Sequence, residues 1–247
     1  SYSYSWKVDG VTIGATGNSL SSASFNKGNI VKCLVTPNDG DGNGAAVESN
    51  SVTVSNSLPT FTSISIAPAS PYTDDSISST ASGWSDADGD TENYLYQWYN
   101  QNGAISGATN AGLSSSYTAK GDVIYVRATA FDGVASGTSR SSSTLTVVNS
   151  APSAPIVQVE PTNAEPEDNL SCVIISAATD VDGDSVSYTY AWYRNSVLQP
   201  SLTSALVGSN FTADGEQWTC MATPNDGTVD GTAGSDSQMV EDVTAPN

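Results

Sequence analysis

The chain has 247 residues, with 26 acidic side chains against seven basic ones, a formal net charge of −19 and no histidine. That balance offers no electrostatic footprint to nucleic acid or to an anionic membrane, and the missing imidazole removes the usual neutral-pH acid–base group and a common metal ligand. No apolar run reaches the roughly 18 residues needed to span a bilayer, and catalysis is not expected. Five Trp and eleven Tyr argue for packed cores rather than disorder.

Residues 1–58 open on Tyr2-Ser3-Tyr4-Ser5-Trp6 and continue through Lys27-Gly28-Asn29 and Cys33 to Thr36-Pro37-Asn38-Asp39-Gly40. They close on Asn56-Ser57-Leu58, with Pro59 opening the next stretch. In residues 59–151 the signs return as Tyr94-Leu95-Tyr96-Gln97-Trp98, Lys120-Gly121-Asp122, Thr129-Ala130-Phe131-Asp132-Gly133 and Asn149-Ser150-Ala151-Pro152. Residues 152–247 repeat them as Tyr188-Thr189-Tyr190-Ala191-Trp192, Asp214-Gly215-Glu216 and Thr223-Pro224-Asn225-Asp226-Gly227, with Ala245-Pro246 at the linker phase. The Trp residues lie 92 and 94 apart and the Asp residues 93 and 94 apart, so several markers agree on one period. The expected domains are therefore a partial repeat at 1–58 (second half only) and complete repeats at 59–151 and 152–247. This reads as an excerpt of a longer array; the alternative is a subunit that takes its missing strands from a neighbour.

Within a repeat the pattern is β. Tyr94, Tyr96 and Trp98 alternate with Leu95, Gln97 and Tyr99, the two-residue period of a strand with one aromatic face. Val123-Ile124-Tyr125-Val126-Arg127 and Leu145-Thr146-Val147-Val148 are rich in β-branched and aromatic residues. Lys-Gly and Asp-Gly pairs mark turns between them. About seven short strands per repeat predict an all-β chain of two-sheet sandwiches.

One segment carries chemistry. Asp86-Ala87-Asp88-Gly89-Asp90 precedes the Trp strand of the second repeat, and Asp180-Val181-Asp182-Gly183-Asp184 that of the third. Three carboxylates in five residues repel one another by on the order of a few kcal/mol at an effective dielectric near 20. A hard divalent cation turns that repulsion into binding energy. Calcium suits the loop because it accepts six to eight oxygens in loose geometry, whereas magnesium demands a stricter octahedron and zinc prefers His or Cys. The loop that begins at Asp132 or Asp226 shares the same end of the sandwich, and linker Asn56 or Asn149 is placed to add oxygens there. The expected calcium ligands are thus Asp86, Asp88, Asp90 and Asp132 in one site, and Asp180, Asp182, Asp184 and Asp226 in the other. Solvated acidic turns are the bland alternative.

The order Cys172…Trp192…Cys220 resembles the immunoglobulin-type sandwich, in which a disulfide joins the two sheets across a core Trp. That resemblance implies a Cys172–Cys220 bond, a core position for Trp98 and Trp192, and, for Cys33, a partner in the missing half of the first repeat. Two buried free thiols remain the alternative. At the equivalent places the second repeat has Ser79 and Val126 and no bridge. A disulfide implies an oxidising, extracellular setting. The acidic loop followed by an aromatic strand resembles the repeats of bacterial and archaeal surface proteins described as immunoglobulin-like, cadherin-like or polycystic-kidney-disease-like. Membership there implies an extracellular stalk, adhesin or fibre, stiffened by calcium. The expected partners are neighbouring repeats of the same chain; a further hypothesis is self-assembly into a fibre through exposed sandwich edges that pair between chains. A module binding carbohydrate or a protein receptor is the alternative, with Tyr99 and Tyr193 on the face opposite the core as its candidate contacts.

Other signals are weaker. Lys120-Gly121-Asp122 resembles an integrin-binding tripeptide, but its equivalents at 27–29 and 214–216 mark it as a repeated turn. Asn169-Leu170-Ser171 and Asn210-Phe211-Thr212 fit the N-glycosylation pattern. Paired carboxylates could serve a glycosidase, yet their recurrence in both complete repeats suits a scaffold better.

Overall fold

The computed structural model describes residues 1–242; the Ala245-Pro246 marker lies outside them. The described residues form strands joined by turns, with three short 3-10 turns at Ser22–Ser24, Ser115–Tyr117 and Ser209–Phe211. In chain order the strands are β1 (Tyr2–Val8), β2 (Val11–Ile13), β3 (Ile30–Pro37), β4 (Val47–Glu48), β5 (Val52–Thr53), β6 (Ser63–Ala67), β7 (Ile77–Ser82), β8 (Tyr94–Asn100), β9 (Gly103–Ala104) and β10 (Gly112–Leu113). They continue as β11 (Val123–Phe131), β12 (Ser136–Ser141), β13 (Leu145–Thr146), β14 (Ile156–Glu160), β15 (Leu170–Ser176), β16 (Ser187–Arg194), β17 (Val197–Leu198), β18 (Leu206–Val207), β19 (Glu216–Asn225) and β20 (Gly234–Val240). Packing divides the chain into two compact units. Unit one takes residues 1–66, 78–112 and 125–144, and unit two takes 67–77, 113–124 and the described residues from 145 to 242.

Unit two contains an immunoglobulin-like sandwich. One sheet runs β14-β15-β18 and the other β17-β16-β19-β20. Their inner faces share a core of Val157, Val159, Leu170, Cys172, Trp192, Val207, Trp218, Cys220 and Val240. The expected disulfide is present: Cys172 on β15 is bonded to Cys220 on β19, and Cys220 lies opposite Trp192 in the β16–β19 register. Trp192 is fully buried; its indole N–H donates to the Ser204 carbonyl at 2.9 Å, which satisfies the polar end that burial would otherwise orphan. The alternation along β19 follows from the strand period: Trp218, Cys220, Ala222 and Pro224 point inward while their neighbours are wetter.

Unit one carries the sheets β12-β11-β8-β9 and β2-β1-β3-β4, with β5 also pairing β3. Trp98 is fully buried and donates its indole N–H to the Asn110 carbonyl, twelve residues on, as Trp192 does. Tyr94 and Tyr96, on the same face, pack against Phe61, Ala128 and Ala130. Val126 lies opposite Trp98, and Ser79 donates its backbone N–H to Ala111, as Cys172 does to Ala205. The assignment of Ser79 and Val126 to the two bridge positions therefore holds. On β1, Trp6 pairs with Cys33 in register and donates to Gly17, but it is only half-buried and Cys33 is a free thiol. Trp6, Cys33, Leu20, Phe25 and Val31 line an open groove of about 660 Å³; in unit two the corresponding face, that of Trp192 and Cys220, is covered by β15.

Candidate metal sites in the acidic loops

Each acidic loop is shaped by its own first carboxylate. Asp86 Oδ1 accepts from the backbone N–H of Asp88 at 2.8 Å and of Asp90 at 3.3 Å. Asp180 Oδ1 does the same for Asp182 and Asp184, again at 2.8 and 3.3 Å. This is the local side-chain-to-backbone bonding that Asp favours in turns. Gly89 and Gly183, at φ +77° and +79°, take the left-handed conformation that closes the loop.

The second carboxylate reaches the linker. Asp88 Oδ2 accepts from the Ser57 N–H at 2.6 Å, and Asp182 Oδ2 from the Ser150 N–H at 2.7 Å. The Asp of the later turn is also engaged. Asp132 Oδ1 accepts from Val134 and Ala135 N–H, and its Oδ2 from the Asn56 side-chain amide at 2.7 Å. Asp226 Oδ1 accepts from Thr228 and Val229 N–H, and its Oδ2 from the Asn149 amide at 2.7 Å. These donors favour the ionised form. The Asn56 amide, helped by the turn's backbone amides, holds the Asp132 carboxyl at about 2, and the Asn149 amide lowers that of Asp226 in the same way.

The expected ligands are thus drawn together unequally. Asp86, Asp88 and Asp90 offer oxygens that all lie within 4.8 Å of one another, as do Asp180, Asp184 and Asp226. Asp132 stands outside the first group and Asp182 outside the second. Among the described residues, three carboxylate oxygens are buried without a hydrogen-bond partner: Asp86 Oδ2, Asp180 Oδ2 and Asp182 Oδ1. An orphaned ionic oxygen is costly to bury, and it is the donor type a hard cation takes. Asp88 Oδ1 escapes this state through a long contact from the Ser57 hydroxyl, 3.4 Å. The corresponding Ser150 hydroxyl is instead accepting from Thr73 N–H.

Two residues that sequence reasoning read only as turn formers belong to these sites. Lys27 Nζ donates to Asp90 Oδ2 at 2.5 Å and to Asn56 Oδ1 at 2.9 Å. Lys120 Nζ donates to Asp184 Oδ2 and, at 3.0 Å, to Asn149 Oδ1. Each ion pair raises the lysine's pKa, the carboxylate hydrogen bond being the largest cause. The linker asparagines, expected to turn an oxygen toward a cation, turn it toward these ammonium groups. The signal was in the sequence: two of the chain's four lysines occupy the same turn position.

The remaining candidates are placed as follows. Tyr99 stacks on Tyr125 with centroids 4.8 Å apart and planes 5° from parallel, both half-exposed, and Tyr193 is likewise half-exposed. Asn169 and Asn210 are exposed; Asn169 Oδ1 accepts from Ser209 N–H.

These features define an all-β chain with immunoglobulin-like packing and acidic loops beside its linkers. No family model matches the chain, and no curated protein does. Among solved structures, the FN1–FN3 domains of chicken CNTN1 align with 98% of this chain and 89% of their own length, at 10% identity and a TM-score of 0.33. A Ca2+-stabilized adhesin described as helping an Antarctic bacterium reach out and bind ice aligns over 97% of this chain and 65% of its own, at 17% identity and a TM-score of 0.35. The three N-terminal domains of the bacteriophage RB49 outer capsid protein Hoc align over 98% and 89%, at 17% identity and a TM-score of 0.31. At such scores the role of the acidic loops rests on this chain's own geometry.

Proposed function

We propose that this chain is a structural segment of an extracellular repeat protein, of stalk or adhesin type, whose acidic loops bind calcium and so stiffen the joints between a partial repeat at 1–58 and complete repeats at 59–151 and 152–247. The observation that carries the calcium reading is the set of buried carboxylate oxygens without a partner, Asp86 Oδ2, Asp180 Oδ2 and Asp182 Oδ1. Asp86, Asp88 and Asp90 would hold one ion, and Asp180, Asp184 and Asp226 the other, with Asp182 and Asp132 beside them. Calcium would supply charge neutralisation and cross-linking of loop to linker, through carboxylates that already grip the Ser57 and Ser150 amides. The disulfide supports an oxidising location, and no described helix is long and apolar enough to cross a membrane. The work proposed is mechanical rather than catalytic, with neighbouring repeats, and further copies in a fibre, as partners.

The test is thermal unfolding and small-angle scattering of the whole chain with calcium and with chelator. Calcium should raise the melting temperature and reduce bending between repeats. Unchanged curves in both would remove the ion from the account. A second reading, a carbohydrate- or receptor-binding module, draws on the stacked, half-exposed Tyr99–Tyr125 pair. Its test is loss of glycan-array binding in a Tyr99→Ala variant.

A further inference from the structure

We propose that Lys27 and Lys120 set the divalent-cation affinity of the two acidic loops by competing with the metal for Asp90 and Asp184; the proposal rests on the calcium reading above and adds its regulation. Asp184 belongs to the carboxylate trio that converges with Asp180 and Asp226, and its Oδ2 accepts the Lys120 ammonium. Asp90 belongs to the trio with Asp86 and Asp88, and its Oδ2 accepts the Lys27 ammonium. A metal seated in either trio therefore shares a carboxylate with an ammonium group.

The turn does not require lysine. Gly28, Gly121 and Gly215 all have positive φ, and their N–H groups donate to Val54, Val147 and Val240 respectively, so the three turns are built alike. The residue before the glycine is Lys27, Lys120 and Asp214. Where lysine is present its ammonium bridges the outer loop carboxylate and the linker asparagine, and it leaves Asp86 Oδ2, Asp180 Oδ2 and Asp182 Oδ1 unsatisfied. The lysine thus neutralises the rim of the loop and not its interior.

Competition follows from distance and from the side chain's freedom. A monovalent and a divalent charge held about 5 Å apart repel strongly enough, even at water's dielectric, to weaken binding on the order of ten-fold. Lysine is a compact charge on a flexible stem, and both side chains keep about a third of their surface exposed, 30% and 37%, so an arriving metal either bears that repulsion or breaks the ion pair and displaces the ammonium into solvent. That release also frees Oδ1 of Asn56 or Asn149, an oxygen of the kind calcium accepts.

The experiment is calorimetric titration of the whole chain with calcium chloride, comparing wild type with K27M/K120M and K27R/K120R, and with K27Q/K120Q should the methionine pair fold poorly. Neutral variants should bind calcium about ten-fold more tightly at low salt, with the gain shrinking at about 0.5 M salt. The arginine pair should stay close to wild type. Equal or weaker binding by the neutral variants, or arginine variants as tight as neutral ones, would overturn the lysine proposal and leave the calcium reading standing. No calcium uptake by wild type or any variant overturns both.

Discussion

The Cys172–Cys220 bond closes a loop with a sequence separation of 48 residues. In the chain-entropy model, losing a cross-link of that length costs about 4 kcal/mol. The perturbation that isolates the cross-link is C172V/C220V, because both positions are core, 4% and 0% exposed, and Val126 already fills the corresponding place opposite Trp98. Alanine would add a cavity term of its own. For a sandwich of roughly 95 residues, each kcal/mol moves the midpoint by about 4–8 °C, so the expected fall is about 15–30 °C. The assay is thermal unfolding followed by near-ultraviolet circular dichroism. Trp192 and Trp218 lie edge-to-face with centroids 6.3 Å apart beside the bond, so their signal reports this sandwich. A fall of less than about 5 °C would show that the core alone holds the two sheets and that the bond adds little.

Four further substitutions test the packing and electrostatics. Trp98→Ala should cost about 3–5 kcal/mol in denaturant unfolding, whereas Trp6→Ala should cost less, because Trp98 is fully buried and Trp6 faces an open groove. Gly137→Ala should sharply destabilise unit one, since an added Cβ would lie 1.7 Å from the Pro59 carbonyl oxygen; a wild-type melting temperature would show that the linker yields freely. Glu48 sits 2.7 Å from Lys7 and 2.9 Å from Lys32, which hold its carboxyl at about 2 against an ordinary 4.5. Its folded pKa is depressed, so its contribution is complete above pH 4.5 and disappears as pH falls from there toward 2. E48Q should flatten the pH dependence of stability in that window, as read from denaturant midpoints.

The all-β class was legible from strand alternation; the core positions of Trp98 and Trp192 and the disulfide were legible through the resemblance of the Cys…Trp…Cys order to the immunoglobulin-type sandwich. Trp218 could have been read by the same rule, standing two residues before Cys220 on one face of β19. The lysines were harder. Lys27 and Asp90 lie 63 residues apart and Lys120 and Asp184 lie 64 apart, and a turn motif carries no sign of which distant loop it meets. The same holds for Gly137, Gly231 and Gly234. Each gives room to a proline carbonyl, of Pro59, Pro152 and Pro155 respectively, and no local pattern announces that approach. Within the loops, the spacing of the acidic residues marked the cluster but not the division of labour. Asp86 and Asp180 fold the turn, Asp88 and Asp182 hold the linker, and Asp90 and Asp184 receive the ammonium.

If the two carboxylate trios are cation sites, bound metal can be counted. Native mass spectrometry of the whole chain in millimolar calcium should show two ions per chain. One should remain in D180N, and none in D86N/D180N, with the disulfide intact throughout. A wild-type chain that carries no calcium, or calcium that persists in D86N/D180N, would mean that the trios do not bind it.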